Sequence, residues 1–335
     1  MVIVAGETLT SVEICAGAGG QAIGVEQAGF EHLALVEHNS EACRTLRLNR
    51  PSWKVIQEDV REFFPDQTLE RVDLLAGGIP CTPYSVAGRQ LGADDERDLL
   101  PEAIRLTAAM RPRAVMLENV SALARSAKFA YTRQTLVDRF EELGYVVQME
   151  ILDAQHFGVA QRRKRAIVIA LHEKDFRNFQ WPLRVWELPP TVGEVLEESM
   201  ASNGWLGASE WALLADGVAP TLVGGSTKHG GGDLGPDRAK QAWAKLAVNG
   251  DSLAHEVPGP TFALRHGVGR GGWKGYPRLT APQAAILQGF PPDWKFSGGK
   301  TARYKQIGNA FPPPVARAVA ASIATALRSS SSTAA

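Results

Sequence analysis

Short apolar runs alternate with segments of helical spacing through the first half of the chain. Seven runs predict strands: "TSVEICAG", "HLALVE", "KVIQEDV", "VDLLAGGI", "AVMLENV", "YVVQMEILDA" and "RRKRAIVIALH". Segments between them, such as "QAIGVEQAG" and "EACRTLRLN", have the spacing of helices. Strands that alternate with helices predict right-handed crossovers and an α/β fold with a doubly wound, mostly parallel sheet. In such a sheet, ligands bind outside the carboxyl ends of the strands.

The alternation stops near Leu171, where the composition changes. Tryptophans appear in predicted loops (Trp181, Trp186, Trp205, Trp211), together with the glycine-rich polar runs "GGSTKHGGGDLGPDR" and "RHGVGRGGWKGYPR". This composition indicates a smaller, irregular second domain. Helical spacing returns in "TAPQAAILQGF" and in "PPPVARAVAASIATALR", whose prolines suit a helix start. The final "SSSSTAA" predicts a disordered tail.

These changes predict five segments. They are a first domain at 1–185, a second domain at 186–277, a connecting segment of the small domain at 278–304, a C-terminal helix returning to the first domain at 305–328, and a disordered tail at 329–335.

Composition narrows the class of protein. The 335 residues suffice for one large domain or two ordinary ones. Lys plus Arg and Asp plus Glu both number 36, so any nucleic-acid surface has to be local. Three cysteines, Cys15, Cys43 and Cys81, form no disulfide framework and favour free thiols in a reducing cytoplasm. No apolar stretch is long enough to span a membrane, and the chain start lacks the pattern of a signal peptide.

The first three strand ends carry the features of an adenosine pocket. After the first strand, Gly17, Gly19 and Ala22 have the spacing of a dinucleotide fingerprint, although a tight strand-to-helix turn alone would also explain them. Glu37 closes the second strand, where a carboxylate can bind ribose hydroxyls. Asp59 closes the third, where it can accept from an adenine amino group. The pocket leaves NAD and S-adenosylmethionine open as ligands.

The next two strand ends carry a thiol and an acid. Cys81 lies in "GGIPCTPYS", in a turn bounded by Pro80 and Pro83. A cysteine alone is more often a small buried hydrophobe, but a thiolate in such a turn is a candidate nucleophile. Glu118, in "LENV", ends the following strand, so the fold is expected to set it beside Cys81. A nicotinamide enzyme needs no such thiol, whereas a methyltransferase that attacks a pyrimidine ring does.

These blocks resemble those of a known family, in the same order. They are "EICAGAGG", "EDV", "GGIPCTPYS", "ERDLL", "LENV", "QRRKR", "RLTAPQAAILQGFP" and "QIGNAFPP". The chain resembles the DNA (cytosine-5) methyltransferases of prokaryotic restriction-modification systems. The resemblance implies a seven-stranded sheet of the S-adenosylmethionine-dependent methyltransferase type. It also implies that 1–185 is the catalytic and cofactor-binding domain, that 186–277 is a smaller target-recognition domain, and that no metal is needed.

The resemblance implies a covalent mechanism. Cys81 would attack C6 of a cytosine flipped out of double-stranded DNA, and C5 would then take the methyl group from S-adenosyl-L-methionine, leaving S-adenosyl-L-homocysteine. Glu118 would hold the N3 edge and share a proton as charge builds in the ring. Arg163 would bind the base carbonyl and orient Glu118, and Arg165 would support the same corner.

The same resemblance implies two further residue sets. Those expected at the cofactor are Cys15, Ala16, Gly17, Gly19, Gly20, Glu37, His38, Asp59, Val60, Pro80, Leu100 and Asn309. Those expected at the DNA are Ser85, Arg89, Lys228, His229, Arg238, Arg265 and Arg270. Four residues depart from the family pattern, since Glu13 and Cys15 stand where Asp and Phe are usual, and Thr82 and Tyr84 stand where Gln and Phe are usual. The aromatic face against adenine is therefore expected to be missing or to come from elsewhere.

Other functions stay open at this point. A transfer-RNA cytosine-5 methyltransferase uses the same scaffold, although the long insert after "QRRKR" favours a domain that reads duplex DNA. A nicotinamide oxidoreductase and a non-catalytic DNA-binding module fit the thiol and acid poorly. We expect a monomer in the cytoplasm of a bacterium or archaeon, associated with the nucleoid. The DNA sequence that it recognises, and whether a cognate restriction endonuclease acts independently beside it, cannot be read from the chain.

Overall fold

The computed structural model describes residues 8–79, 98–184, 188–224, 232–265 and 272–332. The chain forms two compact units. The first, here called the sheet unit, comprises Met1–Leu152, Lys164–Leu183 and Val315–Ala335. The second unit comprises Asp153–Arg163 and Arg184–Pro314.

A seven-stranded sheet organises the sheet unit. Its strands are β1 (Leu9–Ile14), β2 (Phe30–Glu37), β3 (Val55–Gln57), β4 (Leu74–Gly78), β5 (Ala114–Val120), β6 (Tyr145–Asp153) and β7 (Lys164–His172). Their order across the sheet is β3-β2-β1-β4-β5-β7-β6. The pairs from β3 through β5 are parallel, and β7 runs antiparallel to β5. The predicted mostly parallel α/β sheet is confirmed.

Seven helices in the described residues accompany this sheet. They are α1 (Gly20–Gln27), α2 (Ser40–Asn49), α3 (Leu100–Met110), α4 (Ser121–Arg125), α5 (Ala130–Glu142), α6 (Glu173–Phe176) and, after the second unit, α12 (Pro313–Ser332). Alternating residues of the strands explain the packing, because Val12 and Ile14 enter one apolar cluster with Leu75, Val115 and Leu117. None of the described helices combines the length and the apolar character needed to cross a membrane.

The second unit is more regular than its composition suggested. Its described helices are α7 (Val192–Ala201), α8 (Ala208–Leu214), α9 (Asp237–Ala244), α10 (Ala281–Leu287) and α11 (Lys300–Asn309). The expectation that tryptophans here lie in loops is wrong for Trp211, which is fully buried in α8 and donates to the carbonyl of Ala247 at 2.9 Å. Trp205 and Trp243 are also buried. These indoles build the apolar core of a unit that lacks a sheet of its own within the described residues.

The C-terminal segment differs from its prediction in two details. The segment 305–328 contains the end of α11 and then α12, which starts at Pro313 because proline suits the first turn of a helix. Residues 329–332, predicted to belong to a disordered tail, are helical. Ser330 and Ser331 donate to carbonyls four residues earlier, and Asn178 donates to the Ser330 hydroxyl at 3.1 Å. These contacts extend the helix through a serine run.

Candidate active site

The turn after β1 is tied to the end of β2 by Glu37. One carboxylate oxygen of Glu37 accepts from the backbone amide of Gly17 at 2.8 Å. The other accepts from the amide of Asn39 at 2.7 Å and lies 3.1 Å from Nδ1 of His38. Gly17 and Gly19 adopt φ values of 54° and 90°, which suit glycine, and Gly19 precedes α1. The predicted residues Gly17, Glu37 and His38 therefore come together at one strand edge.

Cys15 enters this turn in a strained conformation. Its φ of 52° lies in the left-handed region, which non-glycine residues rarely adopt. Burial, and then the charges of Glu37, Asp59 and Glu13, raise the pKa of the Cys15 thiol far above its usual range. The thiol stays protonated at neutral pH, so Cys15 offers a small neutral surface and no nucleophile.

A second acid, Glu13, lies near the end of β1, two residues before Cys15. Glu13 on β1 is 1% exposed, and neither of its carboxyl oxygens makes a hydrogen bond of normal geometry within the described residues. Burial, followed by the charge of Glu37, raises the pKa of Glu13 well above 4.5, with the Ala22 backbone opposing the shift. A carboxyl group in this environment favours its neutral form.

Asp59 lies two residues beyond the end of β3 and is already engaged. The backbone amide and Nε of Arg61 donate to one carboxylate oxygen at 3.0 and 2.9 Å, and Nη2 donates to the other at 2.6 Å. These bonds lower the pKa of Asp59 to about 2. The sequence analysis missed Arg61, although its position two residues after an acid is a signal for such a pair.

Four other predicted cofactor residues lie in the sheet unit. The carbonyl of Ala16 accepts a hydrogen bond from the Gly19 amide at 3.1 Å. Gly20 begins α1. Val60 and Leu100 are buried in the apolar cluster of the sheet. The predicted residue Pro80 lies outside the described residues.

Glu118 on β5 pairs with an arginine on the neighbouring strand. The antiparallel register sets Val120 opposite Arg165, which brings the Arg165 side chain back toward Glu118. The Arg165 Nε lies 2.8 Å from the Glu118 carboxylate, and both side chains are largely buried, at 16% and 9% exposure. A charge-assisted bond in this setting orients the carboxylate more firmly than an exposed pair would.

The end of β4 lies beside Glu118 on the neighbouring strand β5. The amide of Ile79 donates to the Glu118 carbonyl at 3.1 Å. A side-chain carbon built on Gly78 would lie 3.7 Å from the Cys15 carbonyl oxygen and 3.9 Å from a carboxylate oxygen of Glu118. Gly78 thus separates the cofactor turn from the acid by about the width of a methyl group. Cys81, two residues after Ile79, lies outside the described residues.

Arg163 belongs to the second unit and is 2% exposed. Its two terminal nitrogens donate to the carbonyls of Leu222 and Gly308, both at 2.9 Å. The resemblance assigned the orientation of Glu118 to Arg163, but the ion pair seen on Glu118 is that of Arg165. Asn309, predicted at the cofactor, ends α11 beside Gly308.

The predicted DNA-contacting residues divide into two groups. Arg238 is exposed on α9, and Arg265 is exposed with its backbone amide bonded to the Gly275 carbonyl at 3.2 Å. The others lie outside the described residues: Ser85, Arg89, Lys228, His229 and Arg270. In the described part of the chain, no group of three or more histidine, cysteine or acidic side chains is arranged to hold a metal ion.

A family model for C-5 cytosine-specific DNA methylases matches residues 9–325. The chain belongs to this family. It is a DNA (cytosine-5) methyltransferase, and it is similar to curated type II methyltransferases. It is 49% identical over 324 residues to the type II methyltransferase M.NaeI of Lentzea aerocolonigenes, covering 96% of this chain and 76% of that one. It is 48% identical over 322 residues to M.NgoMIV of Neisseria gonorrhoeae, covering 95% and 98%.

Solved structures agree on the fold. The Entamoeba histolytica methyltransferase EhMeth superposes with a TM-score of 0.66 at 14% identity, covering 95% of the methyltransferase chain described here and 98% of its own. The S. pombe Dnmt2 methyltransferase gives 0.61 at 16% identity, covering 96% and 98%. The seven-stranded sheet is that of the S-adenosylmethionine-dependent cytosine-5 methyltransferases.

Proposed function

We propose that this methyltransferase transfers a methyl group from S-adenosyl-L-methionine to C5 of a cytosine flipped out of a specific double-stranded DNA sequence. The transfer passes through a covalent bond between Cys81 and C6 of the base. Glu118 assists as the acid and Arg165 orients it. We propose further that the enzyme works as a monomer and that any cognate restriction endonuclease acts independently.

The convergence of β4 on Glu118 carries this proposal. Ile79 is bonded to the backbone of Glu118, and Cys81 follows Ile79 by two residues. Two residues of extended chain span at most about 7 Å, and the proposal sets the Cys81 thiol beside the Glu118 carboxylate. A nucleophile beside an oriented acid is the arrangement that attack on a pyrimidine requires.

The residues at the end of β1 fit an adenosine-containing cofactor. The open turn at Gly17 has no atom within 4 Å of a built side-chain carbon, which leaves room for a ligand against the backbone. Glu37 suits the ribose hydroxyls, and Asp59 suits the adenine amino group in shared contact with Arg61. Asn309 is proposed at the methionine end. Bound there, S-adenosyl-L-methionine would supply an electrophilic methyl group.

The chain's own groups then drive the chemistry. The Cys81 thiolate forms a bond to C6, which breaks the aromaticity of the ring and makes C5 an enamine carbon. Glu118 supplies a proton to N3 as negative charge builds, and Arg165 keeps its carboxyl group aimed at that edge. After C5 gains the methyl group, loss of the C5 proton to a base, departure of the Cys81 thiolate and return of the N3 proton to Glu118 restore the ring and the acid.

Changing Cys81→Ser tests the covalent step. A serine hydroxyl is hardly ionised at neutral pH, so the variant is expected to lose methyl transfer while it still binds S-adenosyl-L-homocysteine. A duplex with 5-fluorocytosine at the site should trap the unchanged enzyme covalently, because fluorine cannot leave as the proton does. Mass spectrometry of the adduct and bisulfite sequencing of product DNA provide the readouts. Full turnover by the serine variant would refute the mechanism.

The choice of substrate is tested separately. The alignment with M.NgoMIV spans 95% of this chain and so includes most of segment 186–277. We therefore expect bisulfite maps of DNA modified by the two enzymes to coincide. Parallel product analysis on transfer RNA serves as the comparison, and methylation of transfer RNA alone would replace DNA as the proposed substrate.

A further inference from the structure

A basic segment, residues 119–137, directly follows Glu118 along the chain. It contains Arg125, Lys128 and Arg133 but no aspartate or glutamate. Because the basic and acidic residues of the whole chain balance, a nucleic-acid surface has to arise from a local excess of this kind. The basic segment leaves the carboxyl end of β5, so its positive charge begins at the edge of the sheet where Glu118 lies.

Packing and hydrogen bonds fix the backbone of the basic segment. Leu123 in α4 and Phe129 are buried in the apolar cluster of the sheet unit, and α4 lies against both β5 and β7. One terminal nitrogen of Arg133, in α5, donates to the carbonyls of Leu123 and Ser126 at 2.9 and 2.7 Å. Arg133 therefore closes the turn between α4 and α5, so the backbone that carries the other two basic residues is held in one conformation.

Those two basic side chains have no partner within the described residues. Arg125 and Lys128 are exposed, and neither takes part in a hydrogen bond or an ion pair there. Arg139, in the same helix as Arg133, instead pairs with Glu142 at 2.9 Å. A cation that meets a DNA phosphate releases the counterions condensed on the DNA, and this release supplies most of the affinity that does not depend on sequence. Both cations are therefore available for phosphate groups.

The length of the intervening chain brings these cations within reach of bound DNA. From Glu118 to Ser121, where α4 begins, the chain spans at most about 11 Å, and the four further residues to Arg125 add about 6 Å of helix. The backbone of Arg125 is therefore at most about 17 Å from that of Glu118. Each strand of a duplex has a phosphate about every 3.4 Å along the helix axis. A duplex whose target base lies at Glu118 thus carries several phosphates within that span.

We propose that Arg125 and Lys128 bind phosphate groups of the DNA duplex beside the target cytosine. This inference rests on the proposed function, in which Glu118 holds a cytosine flipped out of double-stranded DNA. Contacts to phosphates carry no sequence information, but they fix the position of the duplex on the protein. The two cations hold the DNA backbone in place while the base is out of the stack. Neither residue is among the DNA contacts that the resemblance implies.

Arg125→Gln combined with Lys128→Gln tests these contacts, because glutamine keeps most of each stem and removes the charge. Binding of a duplex that contains the methylated site is measured by fluorescence anisotropy between about 50 and 200 mM salt, with S-adenosyl-L-homocysteine present. The slope of log affinity against log salt concentration should become shallower by about 1.8, which is about 0.9 for each phosphate. Affinity should fall roughly 5- to 30-fold, the contribution of two exposed ion pairs. An unrelated duplex should weaken by the same factor, because phosphate contacts do not depend on sequence.

Lys54→Gln combined with Arg71→Gln is the matched control. Both residues are exposed and precede β3 and β4, at the opposite edge of the sheet, so the control removes the same charge from the same unit. It is expected to keep the wild-type affinity and salt slope. An equal loss in both double variants would assign the effect to net charge and overturn the proposal.

A second measurement locates the phosphates and uses only single variants, so it decides the question if the double variant fails to fold. An uncharged methylphosphonate replaces one phosphate at a time on either side of the target cytosine. We expect one position to weaken binding of the wild type but not of Arg125→Gln, and another to weaken binding of the wild type but not of Lys128→Gln. Arg125→Lys keeps the charge and should retain the wild-type salt slope. Replacements that weaken the wild type and both glutamine variants equally would overturn the proposal.

The outcomes separate this inference from the proposed function. A wild-type enzyme that methylates no cytosine in DNA refutes the proposed function itself. An active wild type whose double glutamine variant keeps its salt slope, or loses affinity for the cognate duplex alone, overturns the phosphate contacts. A shallower slope on both duplexes, absent from the control, supports them.

Discussion

Arg165 reaches Glu118 because β5 and β7 run antiparallel, with Val120 opposite Arg165. A parallel β7 would have placed the arginine at the other edge of the sheet. In the proposed mechanism Glu118 needs such a partner, because its carboxyl group has to face the base in one orientation while charge develops in the ring. The separation of 2.8 Å between Nε and the carboxylate leaves the terminal nitrogens of Arg165 able to serve other acceptors, of which the Lys164 carbonyl is one.

Arg165→Lys should slow methyl transfer with little effect on cofactor binding. Lysine keeps the positive charge but loses the planar fork, so the Glu118 carboxylate is held less precisely in angle and distance. A rate loss of roughly 10- to 100-fold in single turnover is expected. Lys164→Arg, an exposed neighbour, is the matched control. An unchanged rate in Arg165→Lys would show that the ion pair has no part in orienting the acid.

Glu13→Gln should change the pH dependence of stability. Because the folded-state pKa of Glu13 is raised above 4.5, the native chain keeps a proton that the unfolded chain releases. The neutral Glu13 carboxyl contributes its full stabilisation of the folded state below pH 4.5. This stabilisation is lost as the pH rises toward the folded-state pKa. The free energy of unfolding of the variant, minus that of the wild type, should therefore grow by at most about 1.4 kcal/mol per pH unit in that window.

Urea unfolding at a series of pH values measures this difference, with the exposed Glu62→Gln as the control. A difference that is flat across the window would mean that Glu13 is ionised in the folded protein. The burial of Glu13 was not predicted, because a glutamate within a strand pattern does not reveal what packs around it. The positions of Glu37 and Asp59 at or just beyond strand ends were predictable, because they depend only on chain topology.

At the scale of elements, the two glycines that end β4, Gly77 and Gly78, have different structural roles. A side-chain carbon on Gly77 would lie 2.8 Å from the buried Ile14 side chain, so this glycine permits β1 and β4 to approach. A carbon on Gly78 meets only ordinary contacts, at 3.7 and 3.9 Å. The first glycine serves packing, and the second keeps space open between the cofactor turn and Glu118.

Gly77→Ala and Gly78→Ala should therefore fail in different ways. Gly77→Ala is expected to destabilise the fold by about 1–3 kcal/mol, measured as a lower Tm. Gly78→Ala should keep its Tm but lose methyl transfer by roughly 10- to 100-fold, since the new methyl group occupies the space the transferred one needs. A Gly78→Ala enzyme with the wild-type rate would contradict this assignment.

The elements of the sheet unit were largely predictable, whereas in the second unit α10 was predicted and α7, α8, α9 and α11 were not. Strands such as β1 and β5 are apolar runs that periodicity detects directly. The helix α8 was missed because it buries only Ala208 and Trp211, while two of its leucines, Leu213 and Leu214, are exposed. The role of Arg163 was also missed, because a buried arginine that donates to backbone carbonyls leaves no pattern in the segments that it contacts.

At the scale of the whole molecule, specificity is expected to be exchangeable. Replacing residues between about 188 and 276 with the equivalent segment of a relative of different specificity should redirect methylation to that relative's site. Arg163 contacts the backbone of Leu222, so an incoming segment needs only a carbonyl at that place. Bisulfite mapping of the chimera is the measurement. A folded, active chimera that still modifies the original site would assign recognition to the sheet unit.

The order of the two units along the chain has a consequence for synthesis. The last segment of the sheet unit, Val315–Ala335, is made only after Arg184–Pro314 has been synthesised. At ordinary translation speeds the synthesis of Arg184–Pro314 takes on the order of ten seconds, and the sheet lacks α12 throughout that time. During the same time Arg113 lacks its acceptor, the Leu327 carbonyl, to which it donates at 2.7 Å in the folded chain. A ribosome that stops before Val315 therefore releases a chain without this last segment of the sheet unit, so the unit can be completed only when nearly the whole chain has been made.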